Sequence, residues 1–281
     1  MIDLHTHTTA SDGRCAPADL VARASAAGVT VLAVTDHDTV AGCAAVAAAC
    51  ARSGIQFVTG IEVTAVVADA DVHVLGYFMD VHSERLQVFL TEQRRHRADR
   101  VRQIVARLAA AGISLDVDAI LGPGVEDTGK APGRPWVARA LVKAGHVATP
   151  DQAFERWLGR GRPGYVARIG PSPADVFARI HDAGGVASLA HPVLVGHDDW
   201  LPGFAEAGMD ALEAYHPEHD AAATKRYVEI ARELGLAVSG GSDYHGDKSH
   251  GPAGPGGVSL PPEEFERLKV ASAFRRTSKS G

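Results

Sequence analysis

Apolar runs that turn polar only at their carboxyl ends recur along this chain, each after a helix-forming stretch, and this rhythm restricts the fold more than any other feature. "PADLVARASAAG" has helical periodicity, with Pro17 near its start and Gly28 just past its end. The apolar run "VTVLAVTDHD" follows, polar only in its last residues. A run buried on both faces fits a parallel strand, and α/β folds keep their chemistry at the carboxyl ends of such strands. The unit repeats: helix "VAGCAAVAAACARSG" precedes strand "IQFVTGIEVTAV", and "DVHVLGYFM" follows a short "ADAD" turn that predicts a hairpin. Later, "PADVFARIHDAGG" leads to "VASLAHP", a helix near 200–207 to "MDALEAYHP", and "AAATKRYVEIARELG" to "LAVSGGSDYHG".

Between these stretches the texture changes. A long charged helix begins near residue 83, with Val101, Ile104, Val105 and Leu108 on one stripe and its arginines read as the solvated face. Short helices broken by Gly and Pro follow, without a long apolar strand. The expected architecture is α/β: a distorted (β/α) barrel from 1–94 and 171–281, interrupted by a mainly helical insertion over 95–170. At 281 residues, 46% hydrophobic and 22% charged, the chain is long enough for a full barrel, and disorder is excluded. The net charge of −6 leaves no global attraction for a polyanion, so duplex DNA is not an expected partner and any phosphate contact must be local. Cys15, Cys43 and Cys50 lack CxxC spacing and read as buried small hydrophobes. No signal sequence or bilayer-length apolar run is present, so a cytoplasmic location without membrane contact is expected.

The chemistry-bearing residues collect at the strand ends. "MIDLHTH" puts Asp3, His5 and His7 on alternate positions, so one face of a strand carries both imidazoles, with Asp3 behind them. Asp36 and His37 lie in "TDHD", Glu62 in "GIEV", His73 in "DVHVLGY", His191 in "LAHP", His216 in "AYHP", and Asp243 and His245 in "GSDYH". A strand-end histidine can be a rim residue and an aspartate a helix cap, but independent accidents at almost every strand end are a poor explanation. Imidazoles mixed with carboxylates and no thiolate suit Zn²⁺, Mn²⁺ or Fe²⁺.

Together, "DLHTHTTASDG", "TDHD", "GIEV", "HVLGY", "AHP" and "SDYHG" resemble the polymerase-and-histidinol-phosphatase (PHP) metallophosphoesterases. The resemblance implies a distorted seven-stranded (β/α) barrel with two or three clustered divalent ions of Mn, Fe or Zn. It implies that His5, His7, Glu62 and Asp243 hold one ion, that Glu62 bridges to a second completed by His73 and His191, and that Asp12, His37 and His245 hold a third. Asp12 stands where relatives have His. Asp3 and Asp36 would orient ligating histidines. Length and the "APGRPWVARALVKAG" stretch look most like the tryptophan-operon-associated branch, whose members are 3′,5′-nucleoside bisphosphate phosphatases and trim short RNA from the 5′ end. That branch has His where this chain has Trp136.

Arg134 in "GRP" is the candidate phosphate clamp, since a guanidinium grips phosphate through two hydrogen bonds; the alternative is a surface arginine beside a proline turn. Arg168 and Lys130 are weaker candidates, Trp136 could stack on a nucleobase, and His250 could touch substrate from its loop. His216 could face a leaving group or pack at the rim. His82, His96, His146, His181, His197 and His219 read as solvent-facing. The expected reaction is metal-assisted phosphomonoester hydrolysis by activated water, on a small phosphorylated partner such as a nucleotide or short RNA. Histidinol phosphate phosphatase is the alternative enzyme, and a non-catalytic metal-stabilised scaffold the alternative of another class. An amidohydrolase would use a bridging Lys on a middle strand, and no lysine precedes Lys130.

Overall fold

The computed structural model describes residues 1–68, 70–122, 129–246 and 254–278. Seven strands form one sheet in chain order: β1 (Ile2–Asp3), β2 (Val31–Val34), β3 (Gln56–Val67), β4 (Ala70–Tyr77), β5 (Val186–Leu189), β6 (Ala211–Tyr215) and β7 (Ala237–Gly240). β1, β2 and β3 pair in parallel, as do β5, β6 and β7, while β4 runs against both neighbours. The reversal follows from the short turn after β3, because strands joined that closely can only pair antiparallel. Regular pairing of β1 ends at Asp3, yet the chain continues along β7: the Leu4 N–H donates to the Gly240 carbonyl at 3.2 Å, and Thr6 bridges to Tyr244. This contact closes the barrel. Gly241 permits it, since a Cβ there would fall on the His5 backbone nitrogen and within 2.8 Å of Asp3 Oδ1.

The helices, in order, are α1 (Pro17–Ala26), α2 (Cys43–Ser53), α3 (Glu84–Ala110), α4 (Val117–Leu121), α5 (Arg134–Lys143), α6 (Pro150–Ala153), α7 (Pro173–Asp182), α8 (Pro192–Val195), α9 (Leu201–Glu206), α10 (Ala221–Glu233) and α11 (Pro262–Ser278). α7 starts with a capping box between Ser172 and Asp175 beside Pro173, the sequence signal that restarts the α/β rhythm. No helix among the described residues is long and apolar enough to cross a membrane.

The main core fills the barrel and the space under α7, α10 and α11, with Leu4, Ile61, Leu75, Phe177 and Leu212 fully buried. A second gathers α1 and α2 against β2, and holds Cys15, Cys43 and Cys50 as buried free thiols, the small-hydrophobe role expected of them. A third runs from Ala98 to Val166, within the stretch expected to form the helical insertion. α3 joins two of these, since Leu86, Phe89 and Leu90 lie in the barrel core and Val101, Ile104 and Leu108 in the insertion core.

Three arginines of α3 correct the sequence reading, while Arg85, Arg95, Arg102 and Arg107 are exposed as expected. Arg94, Arg97 and Arg100 are buried, not solvated. Positions 94, 97, 101, 104 and 108 alternate three- and four-residue steps, so the arginines extend the same stripe as the apolar residues. Between Val101 and the apolar Leu90 the stripe passes the buried carboxylate of Asp38. Arg97 pairs through Nε with Asp38 and donates through Nη2 to Thr64 Oγ1 at 3.1 Å. Breaking a buried pair strands the other charge, so Arg97→Ala is expected to destabilise by roughly 3–5 kcal/mol. Urea denaturation measures this, and a loss below about 1 kcal/mol, the worth of an exposed pair, would show that Arg97 is not what holds Asp38.

Candidate metal centre

Seven imidazoles and three carboxylates converge at one mouth of the barrel. β1 supplies His5 and His7 from the extended chain past its end, β2 His37, β3 Glu62, β4 His73, β5 His191, β6 His216 and β7 Asp243 and His245. Reversed β4 contributes from its beginning: His73 pairs with Thr64, two residues beyond Glu62, and so shares the face Glu62 uses.

Glu62 lies at the centre. Its Oε2 is 3.1 Å from His37 Nδ1, 3.2 Å from His7 Nε2 and 3.4 Å from His5 Nε2. Its Oε1 is 2.7 Å from His73 Nδ1 and 3.2 Å from His191 Nε2. Asp243 Oδ1 lies 3.2 Å from Nε2 of both His5 and His7, and its Oδ2 3.4 Å from His216 Nε2. Asp12 Oδ1 lies 3.3 Å from His245 Nε2 and its Oδ2 3.6 Å from His37 Nε2. One ligand atom each from His7, Asp12, His37 and His245 falls within a 4.8 Å span, as does one each from His5, His7 and Asp243, and from His37, Glu62 and His73. The residues taken from the family resemblance as metal ligands are all in this constellation.

The electrostatics are those of charges forced together. Burial opposes ionisation of Glu62, yet His37, His73 and His5 hold its carboxyl well below the usual range; Asp243 and Asp12 are held down in the same way by their imidazoles. Burial would lower His7, but the adjacent carboxylates of Asp243 and Glu62 raise it to about 10. His37 goes the other way, because burial, His7 and Arg97 outweigh Glu62 and Asp12. Of the five non-glycine residues with left-handed backbones among the described ones, three, Asp38 (φ 49°), His191 (φ 27°) and Asp243 (φ 49°), lie at or beside this site, where such strain tends to be found.

Several assignments change. Asp3 and Asp36 do not touch a histidine ring. Asp3 takes the backbone N–H groups of His5, Ser242 and Gly256 and the Ser242 hydroxyl, tying β1 to β7. Asp36 takes the Thr8 N–H and the hydroxyls of Thr8 and Ser11, shaping the loop that carries Asp12. The ring-orienting residue is Glu213, which the sequence reading missed: its Oε1 is 2.9 Å from His5 Nδ1, and its Oε2 accepts the His191 N–H at 2.7 Å. An acidic residue inside the apolar strand "ALEAY" was the signal available for it. His219 is buried against the Ala214 carbonyl, and His181 is half-buried, 2.7 Å from Asp210 Oδ2; neither faces solvent as expected.

Among the substrate candidates, Arg134 is half-buried with Nη2 3.4 Å from Asp71 Oδ2, so it is not a free surface arginine. Arg168 is mostly buried between Asp38 and Asp71. Burial and neighbouring Arg97 push it down to about 9, and burial with Arg134 pushes Arg100 to about 10, the mark of crowded cations that stay charged at neutral pH. Trp136 donates its indole N–H to the Ser11 carbonyl at 2.8 Å and lines a cavity of about 620 Å³ with Leu115, Ile120 and Arg139. Lys130 is exposed, and His250 lies outside the described residues.

Comparison with known proteins agrees with this geometry. The PHP domain model matches residues 3–120. The chain is 35% identical over 252 residues to a 3′,5′-nucleoside bisphosphate phosphatase of Chromobacterium violaceum, covering 87% of each. It is 34% identical over 253 residues to a 5′-3′ exoribonuclease of Haemophilus influenzae, covering 86% of this chain and 89% of that one. A solved structure from Bifidobacterium adolescentis, described as a candidate metal-dependent phosphoesterase, superposes with a TM-score of 0.85 at 31% identity, covering 96% of this chain and 95% of the other. With the barrel, the histidines and carboxylates at its strand ends and this similarity over nearly the whole length, the chain belongs to the PHP domain family, as a hydrolase of the metal-dependent phosphoesterase class.

Proposed function

We propose that this protein hydrolyses phosphomonoesters with divalent ions held at the barrel mouth, and that its substrates are 3′,5′-nucleoside bisphosphates and the 5′ ends of short RNA. The observation that carries the reading is the environment of Glu62, a buried carboxylate with five imidazole nitrogens within 3.4 Å. Both ring nitrogens of His7, and one each of His37, His73 and His191, are buried without a hydrogen-bond partner. Buried polar groups are seldom left so, and of these nitrogens His7 Nε2, His37 Nδ1 and His73 Nδ1 lie within 3.2 Å of the Glu62 carboxylate, where bound cations would satisfy them. The donor set fits Mn²⁺, Fe²⁺ or Zn²⁺ better than Mg²⁺ or Ca²⁺, which prefer all-oxygen shells.

His5, His7, Glu62 and Asp243 would hold one ion, Glu62 with His73 and His191 a second, and Asp12, His37 and His245 a third. When bound, such ions supply Lewis acidity, which activates water and offsets the charge that builds on the phosphoryl oxygens. Glu213 fixes the His5 tautomer, since a proton on Nδ1 directed at its carboxylate leaves Nε2 as the donor toward the site. His216, buried with Nε2 3.4 Å from Asp243 Oδ2, would handle a proton at the leaving group. Arg134, backed by Arg168 and Arg100, grips the phosphate that is not cleaved, and Trp136 offers a ring for the base beside it. The same relatives' names support a nucleotide-type substrate. Phosphate release screened over bisphosphonucleotides, short RNA and histidinol phosphate separates this reading from a histidinol phosphate phosphatase; silence on every phosphomonoester would leave the scaffold alternative.

Asp243→Asn and His5→Ala should each abolish phosphatase activity and lower bound metal measured by mass spectrometry, because each removes a ligand; full activity in either variant would refute the ligand set. Chelated protein should lose activity, keep most of its far-ultraviolet circular dichroism, and recover with Mn²⁺ better than with Mg²⁺, which dehydrates reluctantly. Recovery that favours Mg²⁺ would count against a histidine-rich site. Arg134→Ala should raise KM for a 3′,5′-bisphosphonucleotide by the equivalent of about 1.5–3 kcal/mol, the worth of a hydrogen bond to a charged group, and affect a small aryl phosphate much less. Equal losses on both would place Arg134 at the reacting phosphate instead.

A further inference from the structure

Three guanidiniums converge on one oxygen of Asp71. Its Oδ2 lies 3.4 Å from Arg134 Nη2, 3.5 Å from Arg168 Nε and 3.8 Å from Arg100 Nη1. A well-made charge-assisted hydrogen bond is about 2.7–2.9 Å long, so none of the three is at its best distance. Arg168 Nε is buried with no hydrogen-bond partner at all. The cations therefore surround a space that one carboxylate oxygen underfills. Arg97, alongside, is committed to Asp38 and Thr64, and Arg100 Nε to the Val166 carbonyl. Arg100, Arg134 and Arg168 thus share the single carboxylate of Asp71, with Arg168 also reaching toward Asp38, which Arg97 already pairs. Three guanidiniums on one carboxylate leave positive charge to spare, which suits a phosphomonoester near neutral pH, with its charge of about −1.5 to −2.

The position suits a substrate with two phosphates. Asp71 sits beside the β3–β4 turn, two residues before His73 on the same face of β4, so the arginine nest lies one same-face step from a ring that contacts Glu62. That step is about 6.6 Å along a strand. Asp71 is also among the more accessible members of the nest, with its side chain 24% exposed.

We propose that Asp71 is a stand-in for the uncleaved phosphate. In the free protein its carboxylate holds three mutually repelling arginines together; when substrate binds, the second phosphate takes their donors and Asp71 is displaced toward solvent. This rests on the bisphosphate reading above and adds to it a specificity device. A ligand with a single phosphate, or with a carboxylate in place of the second, gains little from the exchange, whereas a second phosphate offers more oxygens and more charge than the group it replaces.

The test uses the metal-loaded enzyme, with steady-state kinetics on adenosine 3′,5′-bisphosphate and an aryl phosphate for wild type, Asp71→Asn and Asp71→Ser. Removing the stand-in should lower KM for the bisphosphate by roughly three-fold or more, the scale of one partly screened ion pair, with no matching fall for the aryl ester. A KM for the bisphosphate that rises, stays the same, or shifts equally on both substrates would overturn the proposal and make Asp71 a structural brace. If wild type cleaves the aryl ester but not the bisphosphate, the substrate reading has failed, and thermal melting tests the stand-in separately. Inorganic phosphate should then stabilise Asp71→Asn more than it stabilises wild type, since phosphate replaces the missing charge. Equal stabilisation would refute it, and so would failure of both variants to fold even in phosphate buffer.

Discussion

The burial of Glu62 governs this structure. An isolated carboxylate away from water is prohibitively unfavourable, so the strand that carries it is compatible with a folded core only if cationic or metal-bound groups reach it. No single segment can supply them. The five imidazoles around Glu62 come from β1, the loop after β2, β4 and the loop after β5, and they meet only when the sheet closes. Closure of the barrel and assembly of the site are one requirement, and the tight backbone approach at Gly241, where β7 lies against His5, is where the requirement is met.

The insertion is bound to the same electrostatics from the other side. Its core is its own, but much of its link to the barrel is charged: Arg97 and Arg168 on Asp38, and Arg100, Arg134 and Arg168 on Asp71. Asp38 immediately follows His37, and Asp71 precedes His73 by two residues. The arginines thus brace the loop that carries His37 and the start of β4 that carries His73, while presenting positive charge beside them. The same four side chains that pair with Asp38 and Asp71 therefore set both the docking of this segment and the positive charge beside the site.

How much of this could be read from sequence follows from the range of the signals. The βα rhythm, the hairpin after β3 and the ligands at strand ends depend on neighbours a few residues apart, and a local pattern records them. The seating of Arg97 and Arg100 depends on carboxylates some 30–60 positions away, and burial of an arginine is uncommon enough that a charged helix face reads first as solvated. The stripe was visible, since Arg97 precedes Val101 by one turn; what was missing was the partner. Glu213 was overlooked for a related reason. It carries no histidine beside it, and its work is done on His5, 208 residues earlier.

The same buried carboxylates explain how the backbone at the mouth can hold its strained shape. Left-handed conformations at non-glycine residues cost on the order of 1–3 kcal/mol each, and here they fall at Asp38, His191 and Asp243. Each is pinned. Asp38 accepts the Thr64 N–H at 3.1 Å, pairs with Arg97 and donates its own N–H to the Glu62 carbonyl at 2.8 Å. His191 gives its N–H to Glu213, and the residue before Asp243, Ser242, is held through both its N–H and its hydroxyl by Asp3. A hydrogen bond to a charged group contributes about 1.5–3 kcal/mol, enough to offset the strain at each point. Asp3, Asp38 and Glu213 therefore act on the backbone, fixing the angles at which His191, Asp243 and their neighbours enter the site. A carboxylate can do this only where water is excluded, which is why the residues that shape the mouth are as deeply buried as the apolar core beneath it.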